Sequence, residues 1–180
     1  MLLLIDLMNG VVGSGGAPHH PEDVVANSAR LAKTLRDNGG FVVLVRVDHA
    51  PDGSLAPAPI TDTTGAAPAE LPSDWNEVVP ELCGSGDAVV TKFGWDAFHG
   101  TELDMMLRRK RVETILLGGM ITNLGVESAA RSAFDLGYEQ IFVEDAMTGF
   151  DPTTHRHTTE SLFPMIGRVR RTEELLKAFA

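Results

Sequence analysis

The chain has 180 residues, 43% of them hydrophobic and 22% charged, with a formal net charge of −10 at pH 7 and one cysteine. That length fits a single domain, residues 1–180, which can bury a core without cross-links. The acidic balance argues against nucleic acid or an anionic membrane as partner, because both are held by clustered Lys and Arg. A lone cysteine, Cys83, excludes an internal disulfide and points to a reducing, cytoplasmic setting.

Apolar runs alternate with helical patterns along the chain. Leu2–Ile5 reads as a short buried strand, closed by Asp6 and followed by the glycine-rich loop Gly13–Gly16. The opening segment lacks a basic leader region, and no apolar stretch approaches the ~20 residues that span a bilayer. Pro21–Asn38 has helical spacing, with Val24, Ser28, Leu31 and Leu35 on one face and Gly39-Gly40 as its stop. Phe41–Val47 is an almost wholly apolar strand, of the kind covered on both faces. Residues 50–75 are rich in Pro, Ala, Thr and Gly and read as a long surface loop.

Ala88–Thr91 is the next strand, and Thr101-Glu102-Leu103-Asp104 resembles a capping box for a helix ending in Arg108-Arg109-Lys110. A strand over Thr114–Leu117 runs into Gly118-Gly119, then come a helix over Leu124–Leu136 and a strand over Gln140–Val143. Asp151-Pro152 starts another helix, which Pro164 is expected to end or kink; Arg168–Arg170 and Glu173–Phe179 complete the chain as strand and helix. Such alternation calls for a parallel sheet with helices on both faces, and ligands of such sheets bind beyond the carboxyl ends of the strands. That rule selects Asp6, the neighbourhood of Asp48-His49, Lys92 and the turn Gly119–Gly125.

Each of these carries an ordinary reading beside a chemical one. Asp6 caps a loop, or lies in the cleft, where burial raises its pKa towards that of a general acid. Lys92 is a surface cation, or an ammonium among Phe93, Trp95 and Phe98 that needs a partner such as Asp6. The turn Gly119–Val126 is a capped helix start, or a set of backbone N–H groups that stabilise negative charge. Trp95 and Phe98 wall a pocket or belong to the core. Asp48 and His49 are adjacent and the loop up to Trp75 contains no other histidine, so no metal and no other cofactor is expected. Gly13–Gly16 does not have the spacing of a dinucleotide fingerprint.

The stretches LLLIDLMNG, VVTKFGWDAFHGTEL, LLGGMITNLGVESAARSAFDLGY and FVEDA closely resemble, in order and spacing, blocks of the isochorismatase-like (cysteine hydrolase) superfamily. The resemblance implies an α/β Rossmann-like three-layer sandwich with a mainly parallel six-stranded sheet, assembled as a homo-oligomer. It implies that Asp6 and Lys92 are the acid/base pair and that a cis peptide precedes Ile121. Backbone N–H groups of Ile121 and Gly125 would form the oxyanion site, and Asp48, Ile121, Trp95 and Phe98 would meet the substrate.

One position departs from the usual pattern. Where most members carry a nucleophilic cysteine, this chain has Gly125, as do the small bacterial members with TNxGVES. Glycine forms no thioester, which closes the amidase route. True isochorismatases also have glycine there and hydrolyse a vinyl ether, with the Asp protonating the enol-ether carbon. The expectation is therefore hydrolysis of a small metabolite, anionic ones included, with Asp6 and Lys92. The alternative is a ligand-binding member that has lost catalysis. Between Val47 and Leu107 the chain has no Arg, whereas recognition of a dianion favours arginine forks.

Overall fold

The structure, a computed structural model, describes residues 1–49, 54–62 and 71–179. The expected loop over 50–75 falls partly on 50–53 and 63–70, outside the described residues. Strands β1 (Leu2–Ile5), β2 (Val42–Val47), β3 (Ala88–Lys92), β4 (Thr114–Met120), β5 (Glu139–Thr148) and β6 (Arg168–Arg170) form one sheet in the order β3-β2-β1-β4-β5-β6. Every pairing is parallel. Helices α1 (Asn9–Val12), α2 (Pro21–Asp37), α3 (Leu103–Arg109), α4 (Glu127–Asp135), α5 (Pro152–His157), α6 (Phe163–Ile166) and α7 (Thr172–Phe179) fill the connections.

Strand alternation sorts the side chains into two layers. Leu3, Ile5, Val43 and Val45 join Leu103 and Leu107 of α3 and Ala129 and Ala133 of α4 on one face. Leu2, Leu4, Val42 and Leu44 join Val24, Leu31 and Leu35 of α2 and Leu175 of α7 on the other. Both faces are thus closed, which is why β1 and β2 read as unbroken aliphatic runs. Among the described residues, no helix is long and apolar enough to cross a membrane.

Three elements differ from expectation, each for a local reason. β4 continues through Gly118-Gly119 to Met120, because Gly119 has ladder partners on both sides, Ile5 and Met147. β5 likewise extends to Thr148, resuming after a register irregularity. The helix expected over Leu124–Leu136 opens as a widened π turn, Thr122–Val126, before α4. A second π turn, Thr158–Leu162, joins α5 to α6, so the helical path continues past Pro164 to Ile166. A wide turn just ahead of the proline is one way to relieve the clash of its ring with the preceding turn.

Two helix starts carry the caps expected of them. Asp151 accepts from the Thr153 N–H at 2.7 Å, as the Asp-Pro start implies. Ahead of α3 the threonine of the expected capping box does the capping, Thr101 accepting from Leu103 N at 3.2 Å. The short helix α1, in a stretch read only as the approach to a glycine loop, holds the segment 74–77 against β1: Asn9 and Gly10 donate backbone N–H groups to Glu77 and Trp75 at 2.9 Å each.

Candidate active site

The strand order reverses at β1: the chain adds β2 and β3 on one side of it and then returns to add β4, β5 and β6 on the other, so a crevice opens at the carboxyl ends there. Asp6 is the residue after β1, Lys92 ends β3, and Met120 ends β4. The three strand tips meet in a cavity of about 770 Å3 lined by Asp6, Lys92, Trp95, Ile121 and Gly125, with Trp75 and His49 alongside.

Asp6 has a positive φ of 53°, a conformation that Asp and Asn tolerate better than most residues. Its N–H is held by the Val45 carbonyl at 2.8 Å, and this bend turns the carboxylate from the strand into the crevice. Oδ2 meets the Lys92 ammonium at 2.7 Å. The other oxygen, Oδ1, is buried and has no hydrogen-bond partner among the described residues. Burial raises the Asp6 pKa to about 6; the attraction and hydrogen bond of Lys92 pull it down, but less strongly. The carboxyl therefore exchanges its proton close to neutral pH, as a general acid or base requires.

Lys92 is 1% exposed. Besides Asp6 it donates to the Trp95 carbonyl at 2.7 Å, so the loop after β3 satisfies the ammonium from the other side. Gly125 faces both. A Cβ built there would lie 2.9 Å from Asp6 Oδ2 and 3.0 Å from Lys92 Nζ. A side chain at residue 125 would therefore touch both partners of the ion pair. The Met120–Ile121 peptide is cis, where the resemblance implied one.

Two of the expected substrate contacts, Phe98 and Asp48, are not among the described residues lining the cavity. Phe98 is 8% exposed, lies in the core with α3 and α4, and packs on Tyr138 at 6.0 Å between ring centroids. Asp48 turns its Oδ1 to the His49 N–H at 2.7 Å. The crevice wall is supplied instead by His49 and Trp75, whose rings lie 5.6 Å apart, and by Val11, Pro57, Pro59 and Leu124. Trp75 reaches the site because Gly10 lets it: a Cβ on Gly10 would fall 1.9 Å from the indole ring. No spacing in the sequence links residue 10 to residue 75, so this wall was not legible there.

A second polar cluster lies behind the same turn. His155 Nδ1 is 2.9 Å from the Thr122 hydroxyl, while its Nε2 is 3.3 Å from Glu144 Oε1. His19 Nε2 reaches that same oxygen at 2.6 Å. Hydrogen bonds from the two histidines hold the Glu144 carboxyl far below the usual carboxylate range, and the carboxylate in turn raises the His19 pKa. His155 is 1% exposed.

The isochorismatase domain model matches residues 1–174. An isochorismatase family protein of Bacillus subtilis, YwoC, is 44% identical over 178 residues, covering 98% of this chain and 92% of its own length. The structure of an isochorismatase family protein from Burkholderia thailandensis superposes with a TM-score of 0.94 at 36% identity, over 99% of this chain and 94% of that one. The structure of N-carbamoylsarcosine amidase from Thermoplasma acidophilum gives a TM-score of 0.71 at 26% identity, over 96% and 95% of the two chains.

Proposed function

Since the chain belongs to the isochorismatase family of hydrolases, we propose that it hydrolyses a small vinyl-ether metabolite without a cysteine nucleophile, acting in the cytoplasm as a homo-oligomer. Asp6 carries this reading. Its free oxygen is buried at the cavity, its proton is exchangeable near neutrality, and residue 125 brings no side chain to attack the substrate.

The Asp6 carboxyl gives its proton to the enol-ether carbon, where a C–H bond forms from the π pair. The adjacent carbon, now an oxocarbenium, takes up water, and the proton lost from that water returns to the Asp6 carboxylate. Collapse of the hemiketal breaks the carbon–oxygen bond and releases an alcohol and a carbonyl product. Lys92 stabilises the carboxylate left after the first step, and the backbone of Ile121 and Gly125 borders the oxygen that develops charge during collapse. The thioester route of a cysteine amidase has no counterpart at a glycine.

The walls favour a substrate with little charge. Lys92 is the only Lys or Arg among the described residues lining the cavity, and its ammonium is taken up by Asp6 and the Trp95 carbonyl. Product release measured over a panel of vinyl ethers, isochorismate and uncharged analogues together, tests the reading. Turnover of vinyl ethers with none of primary amides is expected. Amide turnover alone, or no turnover of any vinyl ether, would overturn it. Sedimentation of a monomer at micromolar concentration would remove the homo-oligomer from the proposal.

A further inference from the structure

His19, Glu144 and His155 come from three separate parts of the fold: the loop before α2, strand β5 and helix α5. They lie behind the Thr122–Val126 turn and are not among the described residues lining the catalytic cavity. Their ligand-type atoms, two imidazole Nε2 and one carboxylate oxygen, all lie within 4.8 Å of one another. A tetrahedral site with bonds of about 2.0–2.1 Å sets its ligand atoms roughly 3.3 Å apart. The separation of His155 Nε2 from Glu144 Oε1 is 3.3 Å. The His19 contact, at 2.6 Å, is closer and would open by a fraction of an ångström, on a side chain carried by a loop.

The surroundings supply what an imidazole ligand needs. A metal-bound histidine is oriented by a partner on its other ring nitrogen, and His155 Nδ1 has the Thr122 hydroxyl at 2.9 Å. A hydroxyl both donates and accepts. It can therefore accept from Nδ1–H, the tautomer that leaves Nε2 free for an ion. The local charge also suits a dication. Glu144 and Asp145 bring two negative charges against one positive charge of Arg171, whose guanidinium lies 3.3 Å from Glu144 Oε2 and 3.6 Å from Asp145 Oδ2. Arg171 is 61% exposed on its side chain, so it can withdraw to solvent as a cation enters. His19 and Glu144 are 24% and 22% exposed, which leaves an approach path, whereas His155 forms the buried floor.

We propose that His19, Glu144 and His155 form a binding site for a divalent cation of the zinc class. Two imidazoles and a carboxylate leave one tetrahedral position for water. The bound ion would tie the His19 loop, β5 and α5 together directly behind Thr122, the first residue of the turn that carries Gly125.

The test uses the full-length, untagged chain after removal of metal by a chelator, titrated with Zn2+ alone by calorimetry. Co2+ serves as a spectroscopic reporter of tetrahedral coordination. One equivalent of Zn2+ per chain is expected, with a raised melting temperature and a tetrahedral Co2+ absorption. His19→Ala and Glu144→Gln should each weaken binding at least about tenfold, while the exposed His157→Ala should leave it unchanged. Circular dichroism checks the fold of each variant. His19→Ala alone decides the matter should the change at Glu144 impair folding, because His19 is on a partly exposed loop. Absence of saturable one-equivalent binding, or equal affinity in wild type and His19→Ala, would overturn the proposal. So would loss of affinity in His157→Ala alone.

Discussion

Two carboxylates flank one turn and respond to their surroundings in opposite ways. Asp6, in front of the Ile121–Val126 turn, has one cationic partner and a second oxygen with none among the described residues. Desolvation wins, and its pKa rises to about 6. Glu144, behind the turn, has His19 and His155 on one oxygen and Arg171 at 3.3 Å from the other. Hydrogen bonding and charge win there, and its pKa falls. Asp6 is buried and Glu144 only partly so, which leaves desolvation the larger at Asp6. Burial and the number of donors available to the ionised form together decide which one keeps a proton near neutrality.

The largest break in that contrast is expected from Lys92→Met. Removing one partner of a buried ion pair typically costs about 3–5 kcal/mol. Here part of that cost is avoidable, because Asp6 can take up a proton. Urea unfolding should therefore show a loss that is larger at pH 8 than at pH 5, while activity falls at both. An equal loss at the two pH values would mean that Asp6 does not respond to Lys92.

The pH dependence of stability sharpens the contrast next. A carboxyl whose folded pKa is raised binds its proton more tightly in the folded state. Asp6 therefore subtracts stability progressively as pH rises from about 4 to about 6, by roughly 3 kcal/mol in all. Glu144, with a depressed pKa, contributes stability that is present above about pH 4.3 and lost as pH falls below it. In metal-free protein, Asp6→Asn should flatten the slope of unfolding free energy between pH 4 and 6. Glu144→Gln should flatten the acid limb below about pH 4.5, and should also remove the stability that His19 contributes at low pH and loses as pH rises through its raised pKa. Interchanged effects would reverse the assignment of the two carboxylates.

Much of the frame was legible in the residues. Leu2–Ile5 and Phe41–Val47 are aliphatic because both faces of the sheet are covered, and strand-tip logic alone selected Asp6, Lys92 and the turn at Gly125. The walls were not legible. Phe98 sits five residues after Trp95's neighbour Phe93 in an aromatic cluster, yet Trp95 lines the cavity while Phe98 packs on Tyr138. Direction along an irregular loop has no periodicity to read. The His19–Glu144–His155 cluster was hidden for another reason: its members are 125 and 11 residues apart and meet only through the sheet order.

The smallest effect is expected at the thiol. Cys83 is exposed, in the segment after Pro80–Leu82, and is not among the described residues lining the cavity. Alkylation or Cys83→Ala should leave turnover within about twofold, surface substitutions being close to neutral. A complete loss on alkylation would place an essential thiol in a site that the account builds without one.

The central claim is that Asp6, not a cysteine, carries the proton chemistry. Turnover of a vinyl-ether substrate by wild type and Asp6→Asn, followed from pH 5 to 8, tests it most directly. Asn tolerates the positive φ at position 6, so the fold is expected to persist while the acid is removed. A loss of about 10²–10⁴ in rate is predicted, with the wild-type rate declining as pH rises above about 6 and the donor ionises. Wild-type rates in Asp6→Asn would contradict the account, and so would a wild-type rate that climbs through pH 6 and stays high.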